Sequence, residues 1–347
     1  MTRRSILLLA LSFALGLGLV SAVSRAPVRP AELPSRLSDG EFWRIVTDFS
    51  EPNGYFRSDN LTSNELDFQH VIPDLIRRTR PGGVYLGVGP EQNFTYIVAV
   101  RPAIAIIFDI RRGNMLLQLM YKALFELAKD RADFVSRLFA KPRPAGLGPA
   151  STAGDLFGAF DRSDASDALH AANLKAIEHQ LTMTHGFRLS VDDLNGIESI
   201  YNAFYRSGFA VRPWPTYDDL MTQTDGLGGS RSYLATESGF ALLKRLESQN
   251  LIIPVVGDFG GPKAIRVVGA YLKTHQATVT AFYLSNVEQF LYPDGKWMAF
   301  CKNVAMLPLD SSSTFIRSSS GGFGGGGRQF VSSLGAMASE VTACNSF

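Results

Sequence analysis

Two short apolar runs constrain the fold of this chain more than any other feature. Val84–Val88 and residues 103–108 are each long enough for a strand buried on both faces and too short for a core helix. Between them Gly87-Val88-Gly89-Pro90 makes a turn into a helix predicted over residues 91–100, with Pro90 suited to the first helical turn. Strand, helix, strand in that order is the unit of a parallel sheet, because parallel neighbours need a crossover. The pattern returns later. Strands are predicted over residues 251–256, 278–284 and 314–317, with helices over 262–274, 288–291 and 296–306 between them. The expected fold is α/β and Rossmann-like, a mostly parallel sheet with helices on both faces.

The intervening stretch reads differently. Pro142, Pro144, Gly146, Gly148 and Pro149 open a segment, residues 141–245, with helices predicted over 166–182, 190–206 and 233–248. It is expected to be a helical insertion or cap. Ahead of the core, Ser38 or Asp39 caps a helix running to Phe49, and residues 66–78 and 115–129 also read as helical. Residues 321–327 are nearly all glycine and predict a flexible start to a C-terminal tail, 319–347. The resulting divisions are 1–26 as an N-terminal address, 27–38 as a linker, 39–140 and 246–318 as the two parts of the core, and 141–245 as the insertion.

The address is a secretory signal by pattern. Thr2-Arg3-Arg4-Ser5 precedes apolar residues 6–23, and small residues at Val20-Ser21-Ala22 predict cleavage after Ala22, with Ala26 second. The paired arginines also resemble a twin-arginine signal. The apolar run is close to the lower limit of about 18 residues for a membrane span. The two expectations are an exported protein, periplasmic or extracellular, and one held at the inner membrane by residues 6–23. Lys plus Arg is 34 and Asp plus Glu 32, so a net charge of +2 gives no footprint for nucleic acid. Two cysteines exclude a disulfide scaffold and a four-thiolate zinc site. Cys301 and Cys344 either pair in an oxidising compartment or leave Cys301 simply buried. His179 and His185 are six apart, whereas helical metal pairs stand three or four apart, so both read as surface residues and no metal is expected. Arg111 and Arg112 read as solvated residues at a helix start, or as contacts for a carboxylate or phosphate.

In parallel sheets ligands bind at the carboxyl ends of the strands, which directs attention to the residues just beyond each one. Gly87, Gly89 and Glu91 follow the first strand, and the two glycines let backbone approach a ligand closely. Asp109 ends the second strand, 20 residues after Gly89, where a carboxylate can accept hydrogen bonds from ribose hydroxyls. Gln92 stands after Glu91 and no third glycine follows, which argues against a pyrophosphate and for a ribose-bearing ligand without one. Gly257 and Asp258 follow a later strand; Tyr283, Asn286 and Glu288 lie at the end of the next. The polar loop with Tyr55, Arg57, Asp59 and Asn60 reads as either a turn ahead of the next helix or a lid over cofactor or substrate. There is no Gly-x-Ser-x-Gly and no phosphate-binding Gly-x-x-x-x-Gly-Lys-Ser/Thr motif.

Residues 84–109 resemble the first strand–helix–strand unit of class I S-adenosylmethionine-dependent methyltransferases. The resemblance implies that Gly87 and Gly89 face the amino-acid part of S-adenosylmethionine and that Asp109 holds its ribose. It further implies that Gly257-Asp258 lies beside the adenine and that Tyr283, Asn286 and Glu288 position an acceptor, a small molecule. The usual acid before the first glycine is missing at Tyr85-Leu86. Gly54-Tyr55-Phe56-Arg57-Ser58-Asp59-Asn60 and Tyr283-Leu284-Ser285-Asn286-Val287-Glu288 also look like a group of bacterial proteins to which no activity is attached. Three functions follow as expectations: a methyltransferase, an exported non-catalytic binding or scaffold protein that keeps the fold, and another enzyme with a ribose-bearing ligand. S-adenosylmethionine is a cytosolic cofactor, so export pulls against the first.

Overall fold

The computed structural model describes residues 32–324 and 327–344; the signal or anchor expected within residues 1–26 lies outside them. Helix α1 (Asp39–Phe49) starts at Ser38, whose hydroxyl and the Glu41 carboxylate cap each other's backbone amides. Of the expected linker 27–38, residues 32–38 are described. Leu37 is buried, and its amide donates to the Gln249 carbonyl at 3.0 Å.

After α2 (Ile72–Arg78) the core begins with β1 (Val84–Val88), α3 (Gln92–Val100) and β2 (Ile104–Asp109). Almost every residue of these strands is buried, as continuous apolar runs require. Then comes α4 (Arg112–Leu127), followed by the cap: α5 (Arg131–Leu138), α6 (Ala153–Asp161), α7 (Asp167–His179), α8 (Val191–Ser207), α9 (Tyr217–Thr222) and α10 (Glu237–Ser248). The core resumes with β3 (Ile252–Val256), α11 (Ala264–Thr274), β4 (Val279–Ser285), α12 (Glu288–Leu291), α13 (Trp297–Val304), β5 (Thr314–Gly324), β6 (Gly327–Ala336) and α14 (Met337–Cys344).

The sheet order is β3-β2-β1-β4-β5-β6, parallel except for β6. The expected α/β, Rossmann-like class is therefore the observed one. The strand order reverses between β1 and β4, the switch point where this architecture opens toward ligands. The crossovers put α3, α4 and α10 on one face and α11 and α13 on the other, beside α1. The cap is a helical elaboration of the single β2–β3 crossover. Buried Arg131 ties it down, donating to Glu237 at 2.9 Å and to the carbonyls of Leu234, Ala235, Pro149 and Ser151.

Two expectations change. Within the glycine-rich run β5 continues to Gly324 and β6 resumes at Gly327, antiparallel partners on the sheet edge, while residues 325 and 326 of the run expected to be flexible lie outside the described residues. Glycine weakens a strand, but the pairing of residues 314–319 with 331–336 is a ladder that the local composition did not reveal. Helix α14 then docks through the Cys301–Cys344 disulfide, Cα atoms 5.9 Å apart. His185 is not a surface histidine. Its ring nitrogens lie 2.7 Å from Asp39 and 2.6 Å from Glu126, and the Lys122 ammonium lies 2.8 Å from Glu126. His179 is exposed as expected, and among the described residues no group of side chains could hold a metal ion.

Burial lowers the His185 pKa, but the hydrogen bond and charge of Glu126 and the hydrogen bond of Asp39 outweigh it, so the net shift is upward from 6.5. A raised folded pKa gives stability that is complete below the ordinary value and lost as pH rises through the folded one. Glu247, pushed up to about 8 by burial, acts in the same sense. His185→Gln should therefore flatten, without abolishing, the fall in urea midpoint between about pH 6 and 9. A profile identical to that of the wild type would refute the role given to His185.

Candidate functional site

The carboxyl edge of a parallel sheet leaves backbone amides and strand-end side chains in need of partners. Here residues 50–65 supply them. This strap crosses the strand ends in spatial order, from β3 through β2 and β1 to β4.

At β3 the Ser50 hydroxyl accepts from the Val256 amide at 2.9 Å, and the Glu51 amide donates to the Val256 carbonyl at 2.8 Å. The Glu51 carboxylate then accepts from the amides of Asp258, Lys263 and Ala264 at 3.0, 2.7 and 2.9 Å. An anion thus already sits at the first turn of α11, the place that suits one. At β2, Gly54 donates to the Ile110 carbonyl at 2.8 Å, packed so closely on Ile110 that a Cβ has no room. Asn53 accepts from the Arg112 amide at 2.7 Å. Farther on, Arg111 reaches the carbonyls of Ser58, at 2.8 Å, and Asp59. At β1 the Ser63 amide donates to Glu91 at 3.0 Å and its hydroxyl meets Gln92. At β4 the Glu65 carboxylate accepts from the Ser285 hydroxyl, and from Gln92 at 3.0 Å.

The residues expected to bind a cofactor are drawn into this network. Asp109 accepts from Arg111 in a two-pronged pair at 3.0 and 2.9 Å and from the Arg111 amide at 2.9 Å. Both side chains are about nine-tenths buried, so Arg111 is not a solvated helix-start residue. Arg112 is likewise paired, with Asp193 at 2.6 and 2.8 Å. Asp258 accepts from the Gly260 amide at 2.9 Å and from Lys296. Gly257 packs against Ala264 with no space for a Cβ. A Cβ on Gly87 would strike the Asn93 amide oxygen, which accepts from the Tyr85 hydroxyl at 2.9 Å. Asn93 also donates to the carbonyls of Val88, Gly89 and Pro90, closing the turn from inside. Gly89 is different. Its φ of +79° requires glycine, and beyond it lies open space with nothing within 4 Å of a Cβ.

Glu91 is fully buried, and burial pushes its carboxyl up to about 7; the Ser63 amide, its own backbone and the charge of Arg212 pull the other way. The native state therefore favours protonated Glu91, a contribution lost as pH rises from 4.5 through 7. Glu65 is buried and raised too, against hydrogen bonds from Ser285 and Gln92.

The expected acceptor-positioning residues do not converge. Tyr283 is buried in β4 against the Tyr96 ring at 5.1 Å, and its phenol is pushed far up by burial. Glu288 faces away to Arg317, at 2.7 and 3.1 Å, which also holds Glu340 at 2.6 Å. Asn286 accepts a long hydrogen bond from Ser285 at 3.4 Å. Tyr55 points into solvent, 85% exposed, and Arg57 lies over the Phe290 ring. Asp59 and Asn60 do line a cleft of about 480 Å³, with Ser58, Leu61 and Thr62 on the strap side and Val211, Arg212, Pro213 and Trp214 on the cap side. Sequence reasoning placed Ser63 and Glu65 only in the polar loop, as a helix cap and a lid residue, and missed Glu51 and Arg212. Glu51 flanks the polar loop, but nothing local marks a carboxylate as the partner of a helix start some 200 residues away.

Removing one member of a buried pair costs about 3–5 kcal/mol. Arg111→Ala should therefore destabilise the protein by about 3 kcal/mol in urea. It should also open residues 55–60 to limited proteolysis under native conditions. A variant with wild-type stability and an uncut strap would show that the pair does not hold the segment.

Residues 60–146 and 161–335 match the family described as "Domain of unknown function (DUF7790)", and the chain belongs to that family. No curated protein matches the chain.

Proposed function

We propose that this DUF7790 protein is a non-catalytic binding protein for a small molecule, built on a methyltransferase-like core whose cofactor groove is taken by its own strap. One observation supports the reading above others: the charged and amide groups a nucleoside cofactor would use already have partners within the chain, on or beneath residues 50–65. Asp109 is neutralised by Arg111, and the amides at the start of α11 are filled by Glu51. Opening the Asp109–Arg111 pair alone costs about 3–5 kcal/mol. That lowers the apparent affinity of any ligand needing the groove by roughly two to four decades. The N-terminal signal pattern supports the same reading, since S-adenosylmethionine is supplied in the cytosol.

A second reading rests on Gly89. The open space beside it is where the resemblance puts the amino-acid part of S-adenosylmethionine. In that reading the strap is a lid, Asp109 exchanges Arg111 for ribose when it opens, and Asn286 faces the acceptor.

Calorimetry with S-adenosylmethionine and S-adenosylhomocysteine separates the two. The first reading predicts no binding up to about 1 mM. Micromolar binding that disappears in Asp109→Ala would overturn it in favour of the second.

A further inference from the structure

The cleft between strap and cap has three features that the network along the strand ends does not use. Arg212 is half-buried, and its guanidinium has no hydrogen-bond or ion-pair partner among the described residues. Glu91 is a carboxylate whose charge acts on it, and burial raises that carboxyl to about 7, so it is only about half ionised at neutral pH. Thr62 lines the same cleft, is 2% exposed, and has a buried hydroxyl without a partner among the described residues. Trp214 presents its indole at the rim, 56% exposed.

An unpaired, partly desolvated guanidinium and an unpartnered buried hydroxyl are each costly to maintain in a folded protein. An anion that takes charge-assisted hydrogen bonds from Arg212 relieves the first; the Thr62 hydroxyl has almost no accessible surface and is out of reach of a ligand in the cleft. The indole supplies a flat apolar surface for the rest of such a ligand. The volume suits a small organic molecule.

We propose that this cleft binds a small aromatic carboxylate, its carboxylate on Arg212 and its ring against Trp214. A carboxylate fits better than a phosphate because the cleft offers one cation and also carries Asp59, which would repel a second negative charge. This rests on the binding-protein reading and gives that reading its ligand class.

The test uses the protein with its strap intact and four probes: benzoate, phenylalanine, phenyl phosphate and phenylethylamine. Binding is read by Trp fluorescence and by calorimetry. Benzoate or phenylalanine should bind below about 10 mM, the range expected of so small a fragment. Arg212→Gln should weaken that binding at least about tenfold, and Trp214→Ala about fivefold. Both side chains are partly exposed, so circular dichroism of each variant should match the wild type. No binding of either carboxylate, equal binding in Arg212→Gln, or preference for phenyl phosphate or phenylethylamine would each overturn the assignment. Those failures leave the binding-protein reading standing if S-adenosylmethionine also fails to bind. Binding of S-adenosylmethionine overturns that reading whatever the four probes do.

Discussion

The Arg111–Asp109 pair is the contact on which the site depends. Asp109 ends β2 within a sheet whose strands are buried on both faces, and its carboxylate needs a partner there. Arg111 supplies one from two residues away and spends its remaining donors on the carbonyls of Ser58 and Asp59. One guanidinium thus satisfies a strand end and fixes the strap over it. Glu51 does the converse at β3, entering from the strap to cap α11. The edge of the sheet is closed by short-range chemistry at one strand and long-range chemistry at the next.

This closure redirects attention from the groove to the cleft beside it. Fold alone does not assign function; the groups in a site do. Along the strand ends those groups are paired with one another. Between Thr62 and Arg212 they are not, and the cap supplies the far wall through residues 211–214. The helical elaboration of the β2–β3 crossover therefore has a role beyond covering the sheet. It builds one side of a space that the bare core lacks.

Much of the fold was legible because its signals are local. The runs at Val84–Val88 and Ile104–Asp109 and the glycine turn between them follow from strand burial and turn chemistry. The capping box at Ser38 is likewise local. The candidate site was legible only in outline. Asp109 and Arg111 stand two apart in sequence, yet their pairing depends on burial by a strap that arrives from residues 50–65. His185 looked like a surface residue because Asp39 and Glu126 are 146 and 59 residues away. The glycine-rich run looked loose because a strand ladder is stabilised by its partner, and composition does not identify the partner.

Hydrogen exchange of the strap amides tests the central claim most directly. The amides of Glu51, Gly54 and Ser63 donate to Val256, Ile110 and Glu91 across the strand ends. If the strap is an integral part of the edge, these amides exchange only through global unfolding, and their rates do not change with millimolar S-adenosylmethionine. Fast exchange by local opening, slowed when S-adenosylmethionine is added, would contradict the account and make the strap a lid over a working cofactor site.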